Sequence, residues 1–123
     1  ILAALAPKKY TTKVYFDSYF STLNTIDIKH KNIHHNINKN NKNYTIITKT
    51  FEEIISKKFD FLNIDIEGMD FSVLKTIDLK KYSPKLICIE ILKDKDLKLI
   101  KKYFLKRNYK FVGKKQVSYF FSN

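Results

Sequence analysis

Phe59-Asp60-Phe61-Leu62-Asn63-Ile64-Asp65-Ile66-Glu67-Gly68 is the stretch on which the fold turns. An apolar run ends in two carboxylates and a glycine, then passes directly into a helical pattern. It reads as a buried strand over residues 59–66 followed by a tight turn. In an open α/β sheet, ligands lie outside the carboxyl ends of the strands, and Asp65 and Glu67 fall at such an end. An unpaired carboxylate is costly to bury. The pair therefore either lies in solvent and caps the next helix, or meets a substrate, a cofactor or a metal. Gly68 permits a backbone angle or a close approach that a side chain would obstruct.

Downstream, Asp70 is placed to cap a helix in which Phe71, Leu74 and Ile77, with Met69 and Val73, form one apolar face. Pro84 then announces the strand Leu86-Ile87-Cys88-Ile89-Glu90-Ile91, whose nearly unbroken apolar run suits a strand covered on both faces. Asp94 starts a helix reaching Arg107, with Leu97, Ile100, Phe104 and Leu105 inward. Asn108-Tyr109 ends it, and residues 109–112 and 117–121 form a hairpin around Gly113-Lys114-Lys115-Gln116. Upstream, Tyr44 to Thr48 has strand-forming residues. Thr50-Phe51-Glu52-Glu53 is a capping box, opening a short helix whose apolar face is Phe51, Ile54 and Ile55. Alternating strands and helices imply an α/β fold built on a mostly parallel sheet, with an antiparallel C-terminal hairpin.

Residues 1–43 show no firm period and form a poorly defined N-terminal segment before the clearer 44–123. Ile1 to Ala6 reads as the tail of a helix stopped by Pro7, and it is far too short to span a bilayer. Val14-Tyr15-Phe16 and Tyr19-Phe20 are isolated apolar clusters, and Ser21 to Thr25 reads as a loop. His30 and His34 would share a helical face, with His35 beside them. The surrounding Lys and Asn, and the lack of a completing Cys or carboxylate pattern, favour solvated histidines over metal ligands. Residues 36–43 read as an Asn/Lys-rich loop.

Composition narrows the partners. A chain of 123 residues with 44% hydrophobic residues holds one domain with a modest core and is not disordered by composition. The formal charge of +12 suggests an anionic partner. The cations are almost all lysine, however, with Arg107 alone offering a bidentate fork. That is a compositional bias rather than a built patch, and it argues against nucleic acid. Cys88, the single cysteine, sits in an apolar run and is a buried structural thiol. No secretion signal is visible, and the expectation is a cytoplasmic protein without a transmembrane segment.

The chemistry concentrates on acids. Asp65 and Glu67 share strand parity and point to one side, and Glu90 lies near the carboxyl end of the next strand. If the two strands are neighbours, Asp65, Glu67 and Glu90 converge on one rim. Such a group can hold a divalent cation through oxygen ligands, serve as a general base, or bind substrate hydroxyls. Glu90 can equally pair with one of the many lysines. With Gly68 and Gly113 the only glycines, neither GxGxxG nor a Walker loop exists, and no nucleophile elbow is present.

Residues 59–75, with their strand, Asp65-Ile66-Glu67-Gly68, the acidic Asp70 and Val73-Leu74, resemble the signature of the FkbM-like methyltransferases. Ser21-Thr22-Leu23-Asn24 resembles a loop of some members. Thr50-Phe51-Glu52-Glu53-Ile54 resembles the family's lead-in, and Tyr82-Ser83-Pro84-Lys85 through Glu90-Ile91 its following strand. The resemblance implies a partial Rossmann-like sheet in which residues 59–66 form the fourth strand, 85–91 the fifth, and the hairpin the last two. It implies methyl transfer from S-adenosylmethionine to a hydroxyl of a sugar or small metabolite, with Asp65 and Glu67 near the acceptor. The family's glycine-rich cofactor loop and ribose-holding acid have no counterpart in residues 1–43. The chain, which opens on Ile1, is therefore expected to be the carboxyl-terminal half of the enzyme, a fragment that binds S-adenosylmethionine weakly or not at all alone. The rival expectations are a non-catalytic remnant, whose open sheet edge would invite a homodimer, and a basic nucleic-acid-binding domain.

Overall fold

A computed structural model describes residues 3–16, 24–29 and 42–123. The three histidines, Tyr19-Phe20, Ser21 to Leu23 and most of the Asn/Lys-rich segment lie outside the described residues. The chain divides into two compact units, Ile1–Ile55 with Ile66–Thr76, and Ser56–Asp65 with Ile77–Asn123.

The first unit carries strands β1 (Ala4–Leu5), β2 (Thr11–Phe16) and β3 (Lys42–Lys49), and helices α1 (Phe51–Ile54) and α2 (Asp70–Leu74). Its strands form one sheet in the order β1-β3-β2. β1 runs parallel to β3, whereas β2 pairs antiparallel with β3 from Thr11↔Ile47 to Phe16↔Lys42. Thr48 is the tie of this sheet. It is fully buried, and its hydroxyl donates towards the Lys8 and Tyr10 carbonyls at 2.9 and 3.1 Å and accepts from the Tyr10 N–H at 2.8 Å. The capping box forms at Thr50, with the Glu53 carboxylate accepting from the Thr50 N–H at 2.8 Å. In α2 the inward residues are Val73 and Leu74, both fully buried, while Phe71 and Met69 are half-buried.

The second unit carries β4 (Phe61–Ile64), α3 (Leu79–Tyr82), β5 (Leu86–Glu90), α4 (Asp94–Leu105), β6 (Lys110–Lys115) and β7 (Ser118–Ser122). The sheet order is β4-β5-β7-β6. β4 and β5 are parallel, β7 is antiparallel to β5 and β6, and so β4, β5 and β6 run one way with β7 opposed. Leu62, Ile87 and Phe121 lie level across β4, β5 and β7, as do Ile64, Ile89 and Tyr119, and all six are buried. Phe104 of α4 stacks on Phe121 at 4.1 Å between ring centres. The Tyr109 hydroxyl donates to the Pro84 carbonyl at 2.7 Å.

The fold is thus mixed α/β, with the expected C-terminal hairpin. The expectation of a single, mostly parallel sheet does not hold. Strand–helix alternation says which segments are strands but not which strands pair. β3 pairs back onto β1 and β2, and β7 folds back to lie between β5 and β6, so antiparallel pairings dominate the first sheet and recur in the second.

Four local expectations also change. Ala4–Leu5 is a strand paired with β3 and not the tail of a helix. Leu105 is 68% exposed. At about 100° per residue it stands a quarter-turn and more beyond the Ile100–Phe104 stripe that is buried. Gly113 is not in the hairpin turn, which is Gln116-Val117; it sits where the β6–β7 register slips between Phe111 and Gly113. Glycine inside a strand often marks such a bulge. The segment 78–83 contains a short helix rather than a plain lead to Pro84, with the Asp78 carboxylate accepting from the Lys80 and Lys81 N–H groups, both at 3.0 Å.

Candidate functional site

β4 and β5 are parallel neighbours, so their carboxyl ends lie on one edge of the sheet. Their register runs from Phe61↔Leu86 to Ile64↔Ile89. The register ends there: Asp65 is the first residue beyond β4, and Glu90, the last of β5, pairs with Ser118 of β7. Asn63, Cys88 and Phe120 lie level across the sheet, on the face opposite the Leu62–Ile87–Phe121 core because side chains alternate. Glu90 shares that face with Cys88. Asp65 is exposed and Glu90 half-buried. The Cys88 thiol is buried, and its pKa is pushed up first by that burial and further by the charge of Asp65, against a lowering bond from Ser118. It remains protonated at neutral pH, which fits a structural thiol and no nucleophile. Asp65 and Glu90 are thus brought to one edge, as expected for neighbouring strands.

The turn that follows belongs to the first unit and is held by it. β4 ends at Ile64, earlier than the expected residue 66, so the shared parity of Asp65 and Glu67 does not carry through. Glu67 has φ 52° and Gly68 φ 99°, both in the left-handed region. Asp70 does not cap α2. It is the helix's first residue, 7% exposed, and its carboxylate reaches back to accept from the Ile66 N–H at 3.1 Å and the Gly68 N–H at 3.2 Å. From the other side, the Thr25 hydroxyl donates to the Glu67 carbonyl at 2.9 Å. Thr25 is itself buried and tied to Tyr15 by two backbone bonds, Tyr15 N–H to Thr25 carbonyl at 2.8 Å and the reverse at 3.2 Å. Sequence reasoning missed both braces. Thr25 lies in what reads as a loop and offers no signal. Asp70 offers one: an acid two residues beyond a Glu-Gly turn is placed to bond the turn's own N–H groups.

Over residues 3–111 the chain matches the family described as the methyltransferase FkbM domain. The chain belongs to the FkbM methyltransferase family. No curated protein and no solved structure gives a significant match. Membership suggests methyltransferase activity for this FkbM domain, and it rests on a match spanning nearly all of the chain.

Other expected features of the site are not assembled. Among the described residues of the FkbM domain, no group of three or more His, Cys, Asp and Glu is arranged to hold a metal ion. The expectation of Asp65, Glu67 and Glu90 as oxygen ligands of a cation therefore has no preformed cluster behind it. The physical reason is that the chain leaves the strand before Glu67, so a common face is not imposed on the three acids. A cleft of about 750 Å³, lined by Asp78, Ser83, Lys106, Arg107 and Asn108 among others, opens where β5 and β6 begin, at the opposite end from Asp65 and Glu90. Among the described residues, no helix is long and apolar enough to cross a membrane.

Proposed function

We propose that this FkbM domain takes part in transferring a methyl group from S-adenosylmethionine to a hydroxyl oxygen of a sugar or small metabolite, with Asp65 and Glu67 as the acids that work on the acceptor. The observation that carries the proposal is the position of Asp65, exposed in the first residue beyond a strand that is parallel to its neighbour, in a domain of this family. Such an edge is where α/β sheets present groups to ligands. In this reading the four-stranded sheet is the far part of a Rossmann-like arrangement.

A neutral hydroxyl is a weak nucleophile. A carboxylate within hydrogen-bonding reach orients it and accepts its proton as the oxygen–carbon bond forms and the sulfur–methyl bond of the donor would break to leave a neutral thioether, an effect of about 10²–10⁴ in rate. Orientation of the hydroxyl contributes further. In this reading Asp65, exposed just beyond β4, accepts that proton, and Glu67, on the turn that follows, orients the acceptor.

The chain's own residues do not fit the methyl donor. Gly68 stands in the turn after β4 and Gly113 in β6, and these are its two glycines, so no glycine-rich loop frames a cofactor. The donor would be held by residues elsewhere in the polypeptide. Calorimetric titration of this chain with S-adenosylmethionine should accordingly show weak binding or none.

The activity test uses S-adenosylmethionine with a labelled methyl group, the natural full-length polypeptide and a panel of monosaccharides and glycosides. Asp65→Asn should lower kcat by about 10²–10⁴, and Glu67→Gln should lower it less. Methyl transfer that proceeds at the parent rate in both variants would remove these two residues from the chemistry.

A further inference from the structure

Four non-glycine residues among those described have positive φ: Glu67, Ser83, Asn108 and Gln116. Three have ordinary settings. Ser83 ends α3, Asn108 follows α4, and Gln116 lies in a two-residue hairpin turn. Glu67 differs. A residue with a Cβ resists the left-handed region, and Glu67 adopts it between a strand and a helix. One side chain nearby in sequence and one remote from it hold the backbone on both sides of it. The Asp70 carboxylate takes the N–H groups of the residues flanking Glu67. The Thr25 hydroxyl, 42 residues upstream, donates to the Glu67 carbonyl. Both braces are buried, and Thr25 is fixed in turn by its double bridge to Tyr15 and by accepting the Asp27 N–H at 3.0 Å.

We infer that Thr25 and Asp70 are positioning residues that lock the turn after β4 and hold Glu67 in its left-handed conformation, so that its side chain is presented in one direction. A conformation that sterics disfavour persists where its surroundings over-determine it, and such spots cluster at functional sites. The role assigned to Glu67 rests on the function proposed above; the lock itself does not.

Two measurements separate these. The first is amide hydrogen exchange at Gly68, whose signal is one of only two from glycine in the chain. Thr25 does not bond the Gly68 N–H, so faster exchange there in Thr25→Val reports release of the turn and not merely one lost bond. We expect an acceleration of about fivefold or more in Thr25→Val and in Asp70→Asn, the scale of one net hydrogen bond. Thr25→Ser, which keeps the hydroxyl, should exchange at the parent rate. In a Glu67→Gly background, where the left-handed conformation is free of strain, Thr25→Val should add little. Unchanged exchange at Gly68 in Thr25→Val overturns the lock.

The second is methyl transfer from labelled S-adenosylmethionine in the full-length polypeptide. Thr25→Val should lower kcat about tenfold with KM little changed, and Thr25→Ser should restore it. A full rate in Thr25→Val and Asp70→Asn overturns the positioning role. If the parent itself transfers no methyl group to any acceptor, the proposed function fails, while the exchange result still decides the lock.

Discussion

The two units are held together by different physics. The three buried polar side chains among the described residues, Thr25, Thr48 and Asp70, all lie in the first unit. Of the buried aromatic rings among the described residues, Phe51 lies in the first unit and Tyr82, Phe104, Tyr109, Tyr119 and Phe121 lie in the second, where Phe104 stacks on Phe121 and lies tilted against Tyr109. Apolar burial is large but non-directional. Hydrogen bonds add little net energy but fix geometry, and they are expensive to leave half-made. The core of the second unit is thus mainly apolar and aromatic, whereas in the first the turn bearing Glu67 is set by directional ties. Stability and geometry are assigned to separate parts of a small chain.

That division predicts a ranking. Phe104→Ala, which removes a fully buried ring from the second unit, should cost about 3–5 kcal/mol of unfolding free energy, measured by urea denaturation. A loss below about 1 kcal/mol would mean the aromatic stack is not what holds that core. Thr48→Val changes almost no volume but leaves the Tyr10 N–H and the Lys8 carbonyl without the hydroxyl that served them. It should cost about 1–3 kcal/mol, and a neutral result would show that water or a backbone shift replaces the tie. If the valine variant costs as much as the alanine one, the contrast between the units is wrong.

What the sequence discloses follows the same line. Periodicity and caps located β3, β4, β5, α1 and the hairpin, because apolar burial leaves a repeating mark on the chain. β2 escaped notice although Val14-Tyr15-Phe16 is apolar: Thr11 to Lys13 carries no alternation, and the strand exists through its pairing with β3. Thr25 escaped for a related reason. Its value lies in a bond to a residue 42 positions away, and no local pattern encodes that. Asp70 was found but given the wrong partner, since an acid at a helix start satisfies the helix's N–H groups more often than those of the preceding turn. At the site, the fall of Asp65 and Glu90 near strand ends was legible, whereas the neighbouring of the two strands was a condition that the sequence left open. The left-handed Glu67 was not, since the apolar alternation runs on through Ile66 as if the strand continued.

The smallest effect tests the contrast by acid. The Glu53 carboxyl has its pKa held below the ordinary glutamate range. The chief cause is the bond it accepts from the Thr50 N–H; desolvation opposes it, and the Thr50 hydroxyl, Lys9 and Lys49 assist. A carboxyl whose pKa is depressed on folding stabilises the fold above its unfolded pKa, and that contribution is lost as pH falls through the folded value. The first unit, built on such directional ties, thus has a titratable support on the acid side of the glutamate range, whereas the ring stack at Phe104 has nothing to protonate. Glu53→Gln should melt slightly below the parent near neutral pH and together with it at about pH 2, where the parent's carboxyl is protonated as well. A gap of the same size at both pH values would show that Glu53 contributes through shape rather than charge, and that acid does not single out the polar ties.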